Sequence, residues 1–484
     1  MAEANKSARL PADLSTATRR LLAGAALLGA AAAAAYALGE VEIGFVLATA
    51  AVLAVSLCWP MAPTALTFLL AGALGSFAGH WIVPGVTLPV FELLLAAGAI
   101  GAALALLRGW RDRSRAGTLT ASIWVPAAIY ALFLLAFLNK RDLIPGAREA
   151  ILLGYPLLIA LPFSVVPPAR VRSFFEAHGW QLVALASAAA VITGIYNYAI
   201  DNTLETSTGQ LRALPGEYTA PLAAAVLTAA WLAVYRRRFV VAGALAVLGV
   251  VGLLLINQRS AYLALVIALV VFAATGPLPA MIRARPRTAL RTAVVLGALL
   301  IVLLALTPLG RDGVARFGAL FDSSDDNYSF RERAVRKALK KDDAGEVILG
   351  TGVGLQRTDL DVEFTNDMAE ALSSPLRLEP HNSYVTIYQR AGVIGLILIL
   401  APLAFLIWKM IRARRDELVA LLLSFVVFMA IMATFNVVLE NSFYGIWFWC
   451  PLFAGALIAI GGETAAPASR AAVDSRAAVD ARPR

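Results

Sequence analysis

Long apolar stretches recur along the chain and are separated by mostly short polar connections. A helix needs about 20 mostly apolar residues to cross about 30 Å of hydrocarbon, and lipid offers no water to an irregular backbone. The pattern therefore predicts transmembrane helices. The fourteen candidate spans are 21–38, 41–58, 64–83, 86–107, 119–138, 149–166, 180–200, 219–235, 239–256, 259–275, 291–307, 384–408, 417–436 and 442–461. Several are short, so twelve spans is the alternative; both numbers are even and predict that the two termini share one side.

The composition supports this interpretation. Of 484 residues, 60% are hydrophobic and 15% are charged, which leaves too little polar surface for an ordinary soluble protein. The predicted fold class is an all-α polytopic membrane protein. No cleavage site stands out from the alanine run of the first span, so we expect that span to stay as a signal anchor. Cys58 and Cys450 fall in different spans and imply no disulfide framework.

The basic residues predict the orientation, because Lys and Arg in short loops are retained in the cytoplasm. An N-terminus on the inside places five basic clusters in the cytoplasm. These are residues 19–20, 108–115, 236–238, 283–291 and 409–415. The basic loop 139–148 lies outside in this arrangement and is the exception. The net charge of +9 is mostly a topology signal, and we do not expect a nucleic-acid partner.

The same pattern predicts the domain organisation. Residues 1–20 form a cytoplasmic N-terminus, and residues 21–307 form a transmembrane bundle. Residues 308–383 form one large polar segment on the outer side, and residues 384–461 return to the membrane. Residues 462–484 are Ala-rich and repetitive, which favours a disordered cytoplasmic tail.

One of the three histidines has polar neighbours at a membrane boundary. His178 lies in a predicted cytoplasmic loop, whereas His80 and His381 lie near the outer face. Such a residue can be an interfacial histidine that water or a carbonyl satisfies. His381 also precedes Asn382 and a serine, which can hold a ring nitrogen, and Tyr384 begins the span.

Two arginines are predicted at the same level. Arg259, in INQRSAYLAL, lies where one span ends and the next begins, and Arg212, in TGQLRALPGEY, precedes another span. Charges this close to hydrocarbon are costly unless they are paired or reach the interface. They can extend to lipid headgroups, or they can bind a diphosphate through paired guanidinium hydrogen bonds.

Other polar motifs of the outer segment have simpler interpretations. Residues 359–370 have the oxygen spacing of a calcium loop, but Phe364 stands where that loop needs glycine, which favours a solvated acidic loop. No strand-helix unit surrounds ILGTGVGLQ, at residues 348–356, so we expect a tight turn packed under the histidine instead of a nucleotide site.

In combination these motifs resemble a known family. The order of NQRSAYLAL, a long outer loop with ILGTGVGLQ, and HNSYVTIYQRAGVIGLILIL is similar to the O-antigen ligase family of bacterial inner membranes, from about residue 211 to residue 400. That family includes polymerases and protein O-oligosaccharyltransferases. The resemblance implies a C-type glycosyltransferase-like fold with an active site facing the periplasm. It also implies transfer of a glycan from undecaprenyl diphosphate to a hydroxyl of the lipid A core.

The resemblance gives roles to the residues above. His381 matches the family's essential loop histidine, and Arg259 and Arg212 match its two essential arginines. In this interpretation His381 is the general base, Asn382 and Tyr384 contact substrate, and the arginines make a metal or other cofactor dispensable. The expected partners are the lipid-linked glycan, the lipid A core and membrane lipids.

A basic segment in the outer loop could serve the acceptor. FRERAVRKALKK, at residues 330–341, predicts an amphipathic helix on the membrane surface. Arg336, Lys337 and Lys340 would then help to bind the phosphorylated acceptor; the alternative is a surface helix without a ligand.

Two rival functions stay open at this stage. A polymerase or protein glycosyltransferase of the same broad family would use similar residues with another acceptor. A transporter would need ionisable residues near the bilayer midplane and broken helices in repeated halves. The first eleven spans are nearly free of charge at mid-span, which favours the enzyme.

Overall fold

A computed structural model describes the chain over residues 16–38, 41–74, 80–83, 86–107, 128–131, 154–200, 204–205, 211–276, 335–336, 338–339, 343–352, 382–436, 438–439 and 442–480. Within these ranges, six helices are long and apolar enough to cross a membrane. Six further apolar helices of 10–17 residues accompany them. The predicted all-α polytopic membrane fold is confirmed.

The helices of the N-terminal half are α1 Thr16–Ala37, α2 Val41–Cys58, α3 Met61–Leu74, α4 Val90–Leu107, α5 Tyr155–Ser164, α6 Pro168–Phe174 and α7 Trp180–Ala199. A π-helical turn, Phe175–Gly179, joins α6 to α7. Two short antiparallel hairpins add β1 His80–Val83 with β2 Val86–Pro89, and β3 Leu204–Glu205 with β4 Leu211–Arg212.

The helices of the C-terminal half are α8 Thr219–Trp231, α9 Phe239–Ile256, α10 Arg259–Ala274, α11 Ala344–Leu349, α12 Ser383–Arg412, α13 Glu417–Met432 and α14 Ser442–Asp480. A 3-10 turn, Gly216–Tyr218, precedes α8, and a π-helical turn, Leu232–Arg236, follows it.

Within the described residues, the predicted spans correspond to these helices except at the hairpin of β1 and β2. The span predicted at 64–83 is the end of α3 followed by β1, and the span predicted at 86–107 begins as β2 before it becomes α4. Strand residues such as those of VTLP are apolar too, so hydropathy alone did not separate the hairpin from the helices. The predicted spans 119–138, apart from residues 128–131, and 291–307 lie outside the described residues.

The C-terminal tail differs from the prediction. Residues 462–484 were expected to be disordered, but α14 continues to Asp480. The physical reason is the alanine content of this segment, since alanine has the highest helix propensity of all residues.

The apolar part of α14 forms the centre of the bundle. Within the span Phe443–Gly462, 94% of the residues in an apolar stretch of 18 residues are buried. Trp447, Phe448 and Phe453 are among its fully buried side chains. The helix contacts α3, α5, α6, α12 and α13, so it holds the N-terminal and C-terminal helices together.

Ion pairs join several elements at one end of the bundle, which we call the basic end. Arg236, after α8, lies 2.7 Å from Glu417 at the start of α13 and 3.2 Å from Glu176. Arg172, on α6, pairs with Glu176 and with Asp416. The basic clusters 236–238 and 409–415 therefore lie at the same end, in agreement with the predicted orientation of these two loops.

Candidate active site

The opposite end of the bundle, which we call the polar end, is defined by Gln258, Asn382 and Asn436. The carboxyl end of α13 is far from Asp416, since its 16 residues span about 24 Å at 1.5 Å per residue. Gln258 precedes α10 and donates from Nε2 to Asn436 Oδ1, just after α13, at 3.2 Å. Asn436 in turn accepts at its backbone carbonyl from Ser383 Oγ at 3.2 Å. Hydrogen bonds thus join the start of α10 to the start of α12.

A tight turn positions Arg259. Asn257 ends α9 with φ 51° and ψ 50°, a left-handed conformation that asparagine tolerates better than most residues. Its N–H donates to the carbonyl of Leu253 at 3.0 Å. Gln258 is buried and also donates to Ser260 Oγ at 3.0 Å. Arg259 begins α10 between these bonded neighbours, half-buried, with its Nε atom inside the protein.

The backbone of Arg212 lies beside the same turn. Arg212 pairs with Leu204 in the β3–β4 hairpin. The next residue, Ala213, donates its N–H to the carbonyl of Leu255 at 3.1 Å, and its own carbonyl accepts from Asn197 Nδ2 at 2.9 Å. Leu255 is two residues before Asn257, so the structure brings the two arginine-bearing segments to one end of the bundle.

The turn after Arg212 packs directly against Gln258. A β-carbon on Gly216 would lie 2.9 Å from Gln258 Oε1, so a larger residue there would push the end of the Gln258 side chain aside. The carbonyl of Gly216 accepts from Thr219 Oγ1 at 2.7 Å and from the Tyr444 hydroxyl at 3.3 Å. Tyr444 belongs to the central helix α14, which therefore anchors the loop that carries Arg212.

Asn382 caps the helix that follows the predicted catalytic histidine. Its Oδ1 accepts from the N–H groups of Tyr384 and Val385 at 3.0 and 3.1 Å. Ser383 is fully buried, and its Oγ accepts from the N–H groups of Val438 and Leu439 at 2.8 and 3.1 Å. The serine hydroxyl, which was expected to hold a histidine nitrogen, is instead bound to the α13–α14 connection.

Tyr384 is held by hydrogen bonds from both its backbone N–H and its side-chain hydroxyl. Its N–H donates to the Asn382 cap, and its hydroxyl donates to the carbonyl of Ala430 on α13 at 3.1 Å. This contact fixes the first turn of α12 against α13.

A break in α12 receives the glycine-rich turn. Gly392 interrupts the helix with φ 64°, and the N–H groups of Thr351 and Gly352 donate to the carbonyls of Gln389 and Arg390, each at 2.9 Å. A β-carbon on Gly392 would lie 2.3 Å from the carbonyl oxygen of Ile348, and one on Gly350 would lie 2.2 Å from that of Arg390. The tight turn expected in ILGTGVGLQ is therefore built on α12, about three helical turns beyond Asn382.

Several residues of the predicted site are described only in part. His381, Lys337 and Lys340 lie outside the described residues, as does the acidic segment 359–370. Arg336 is helical and exposed, and Ala338 is buried beside it. Leu339, expected on the apolar face, is 50% exposed.

Sequence reasoning did not identify Gln258, Asn436 or Tyr444. Gln258 was visible as a polar residue beside Arg259, inside an otherwise apolar stretch. Asn436 and Tyr444 gave no local signal, because their partners are 178 and 228 residues away in sequence.

The comparison with protein families identifies one segment. Residues 244–400 match the family model described as O-antigen ligase, and the resemblance inferred from sequence is confirmed over this segment. The matched segment includes Arg259, the turn at Gly350 and α12 as far as Leu400. It supports a ligase-type or polymerase-type glycosyltransferase role in a membrane. A search of curated proteins found no match.

Proposed function

We propose that the chain is an O-antigen ligase of the bacterial inner membrane. It transfers a glycan from undecaprenyl diphosphate to a hydroxyl of the lipid A core, at an active site on the periplasmic face. The observation that supports this proposal is the convergence, at the polar end, of the segments that carry Arg212, Arg259 and the first turn of α12.

The two arginines bind the diphosphate of the donor. A guanidinium can donate two parallel hydrogen bonds to phosphate oxygens, and these bonds strengthen as negative charge develops on the leaving group. Arg259 is half-buried, and a low-dielectric environment strengthens such an interaction relative to water. The donor's prenyl tail lies laterally in the membrane beside the bundle.

His381 acts as the general base. The acceptor hydroxyl transfers its proton to the imidazole while its oxygen bonds to the sugar C1, and the bond from C1 to the phosphate oxygen breaks. Undecaprenyl diphosphate leaves with the electron pair of that bond. A positioned base contributes about 10² to 10⁴ in rate, and attack opposite the leaving group inverts the anomeric centre.

The acceptor is a phosphorylated lipid, which the basic segment 330–341 helps to bind. Arg336 is exposed at this segment. Reversing the charges of Arg336, Lys337 and Lys340 should weaken acceptor binding without changing donor binding. An unchanged acceptor affinity would remove this segment from the proposal.

The test is transfer from an undecaprenyl diphosphate glycan to purified lipid A core in the presence of a chelator. We expect the wild type to glycosylate the acceptor and His381→Ala to lose this activity. The control is His178→Ala, because His178 is an exposed histidine at the basic end. Its ring atom Nδ1 lies 3.1 Å from Gln181 Oε1. His178→Ala should transfer normally.

A second pair of variants tests the diphosphate site. Arg259→Lys keeps the charge but removes the two-pronged donor geometry, so we expect transfer to fall by tenfold or more, at about 1.4 kcal/mol per factor of ten. The control Arg415→Lys changes an exposed arginine at the basic end and should leave the rate unchanged.

The product distinguishes the alternatives. If the wild type lengthens the prenyl-linked glycan and leaves lipid A core unmodified, the enzyme is a polymerase. If a peptide hydroxyl is the acceptor, it is a protein O-oligosaccharyltransferase. If no glycan is transferred to any of these acceptors, the enzymatic proposal is wrong and transport becomes the better explanation.

A further inference from the structure

One face of α12 is exposed along the part of the helix that leads to the basic end. Its inner residues Leu403, Leu406 and Met410 are buried, whereas its exposed residues recur at the three- and four-residue spacing of a single helical face. We call these exposed residues the outer face of α12. They are Ile397, Ala401, Ala404, Trp408, Ile411 and Arg412. In a membrane this face contacts lipid.

The outer face ends at the boundary of the hydrocarbon. Val393 follows the break at Gly392 and is 39% exposed. From Val393 to Arg412 the helix rises about 28 Å, which is close to the thickness of the hydrocarbon core, about 30 Å. Arg412 therefore lies at the level of the lipid phosphates. Trp408 lies about 6 Å further in, at the level where tryptophans collect at a membrane interface.

Two cations are held beside the Trp408 ring. The guanidinium carbon of Arg412 lies 4.9 Å from the centre of the ring, and the ammonium nitrogen of Lys409 lies 5.2 Å from it. Lys409 also lies over the Phe405 ring at 5.8 Å. Cation–π attraction favours both positions, so the two charges are brought together before a ligand arrives. This arrangement lowers the entropy lost on binding.

The carboxylates that follow α12 are engaged with other arginines. Asp416 caps α13 and pairs with Arg172, and Glu417 pairs with Arg236 at 2.7 Å. Within the described ranges, Arg412 forms no ion pair, in contrast to these two arginines of the same end. The charge of Arg412 can therefore be neutralised by an anion at the membrane surface.

The chemistry of the outer face selects this anion. Below the two cations the face is apolar, and the small exposed side chains of Ala401 and Ala404 leave room beside the Trp408 ring. A ligand that fits must carry a phosphate above a hydrocarbon chain, which describes a phospholipid. A zwitterionic headgroup adds an amine that Lys409 and Arg412 would repel, whereas an anionic headgroup adds none.

We infer that the outer face of α12 binds an anionic glycerophospholipid, such as phosphatidylglycerol, from the leaflet at the basic end. Its phosphate accepts hydrogen bonds from the guanidinium of Arg412 and the ammonium of Lys409. One of its acyl chains lies along Trp408, Ala404 and Ala401. The site is at the opposite end of the bundle from the one proposed for glycan transfer, and it does not depend on that proposal.

The test compares two lipids that differ only in the headgroup. Delipidated wild-type protein in detergent is titrated with phosphatidylglycerol and with phosphatidylethanolamine of the same acyl chains. Native mass spectrometry measures the dissociation constant of the first bound lipid. Two cations at a membrane surface favour an anionic lipid, so we expect phosphatidylglycerol to bind about tenfold more tightly.

A soluble anion tests whether the acyl chain is needed. Glycerol 3-phosphate carries the phosphate without a chain, so an excess of it should not displace phosphatidylglycerol from the wild type. Displacement would identify a site for a free phosphate and would contradict the lipid assignment.

Variants of the outer face locate the preference. Lys409→Gln combined with Arg412→Gln removes both charges and keeps the apolar face, so the two lipids should bind with similar affinity. Trp408→Leu keeps an apolar side chain and removes the ring that holds the cations, so it should weaken the binding of phosphatidylglycerol alone. The control Arg237→Gln removes a charge from an exposed position after α8 and should retain most of the preference.

Three results would overturn the inference. Equal binding of the two lipids by the wild type would mean that lipid contacts here are unselective. An unchanged preference in the double variant would place the bound lipid elsewhere. An equal loss in Arg237→Gln would assign the preference to the total charge of the basic end. Because the first comparison uses the wild type, it decides the matter even if a variant folds poorly.

Discussion

Asn382 is the residue at which capping and substrate binding can be separated. Its Oδ1 accepts two backbone N–H groups at the start of α12, so Asn382→Ala should destabilise the protein by about 1 kcal/mol. Asn382→Asp retains an acceptor oxygen and should keep the wild-type unfolding temperature, measured by thermal denaturation in detergent.

The transfer rate of the same two variants shows whether the amide has a further role. Asp lacks the Nδ2 donor, so a folded but inactive Asn382→Asp would place this amide at the substrate. An equal loss of stability in both variants would contradict the capping role. Asn436→Asp is a useful companion, since it preserves the Oδ1 acceptor for Gln258.

Gly392 is required by close backbone contacts. It has φ 64°, and a β-carbon there would lie 2.3 Å from the carbonyl oxygen of Ile348 and 2.5 Å from the N atom of Gly350. Gly392→Ala should therefore detach the glycine-rich turn from α12 and cost on the order of 3 kcal/mol.

The matched control for this change is Gly243→Ala. Gly243 is on α9, and nothing lies within 4 Å of the β-carbon that the substitution would add. Thermal denaturation and limited proteolysis near residue 350 should show a large change for Gly392→Ala and almost none for Gly243→Ala. Similar behaviour of the two variants would mean that the turn is not held at this break.

At the scale of elements, the ion pairs of the basic end connect helices distant in sequence. Arg236 contacts both Glu176 and Glu417, and the side chains of this cluster are about one-third exposed. Solvent screens such pairs, so Arg236→Gln should cost only about 0.5–1 kcal/mol. The loss should shrink as salt is raised, because salt weakens the pair in the wild type.

Arg237→Gln provides the control for this prediction. Arg237 is exposed and has a positive φ of 55°, so this change removes one positive charge without removing either ion pair. The unfolding temperatures of both variants at low and high salt are the measurement. A salt-independent loss in Arg236→Gln would point to packing of Arg236 on Trp231 instead.

The elements also show what could be predicted from the sequence. The predicted span 239–256 coincides with α9, because its apolar run is bounded by Arg238 and Asn257. The hairpin of β1 and β2 was missed, because apolar strands and apolar helices have the same hydropathy. The polar residues at the start of α10 and α12 were recognised as interesting, but their link through Asn436 was not, since it depends on how α13 packs.

The two glycine contacts at α12 illustrate the same limit. The residues of ILGTGVGLQ predicted a tight turn, and Gly350 and Gly352 have positive φ values. The segment that this turn contacts could not be predicted. The turn bonds to the backbone carbonyls of Gln389 and Arg390, which are available only because Gly392 breaks the helix. Sequence patterns report local conformation well and contacts between distant segments poorly.

At the scale of the whole molecule, the two ends of the bundle differ in charge, and this difference predicts which side of the membrane each end faces. The basic end holds Arg172, Arg236 and the cluster 409–415, whereas the polar end holds Gln258 and Asn382. Positively charged loops stay in the cytoplasm, so we expect the polar end to face the periplasm, where a lipid-linked glycan and its acceptor would meet.

Single cysteines can test this orientation in intact cells. In a background with Cys58→Ala and Cys450→Ala, Thr434→Cys places a thiol at an exposed position of the polar end, and Ala177→Cys places one at an exposed position of the basic end. A membrane-impermeant maleimide should label Thr434→Cys in cells with a permeabilised outer membrane. It should label Ala177→Cys only after the inner membrane is broken. The reverse pattern would put the polar end in the cytoplasm and would contradict both the orientation and a periplasmic active site.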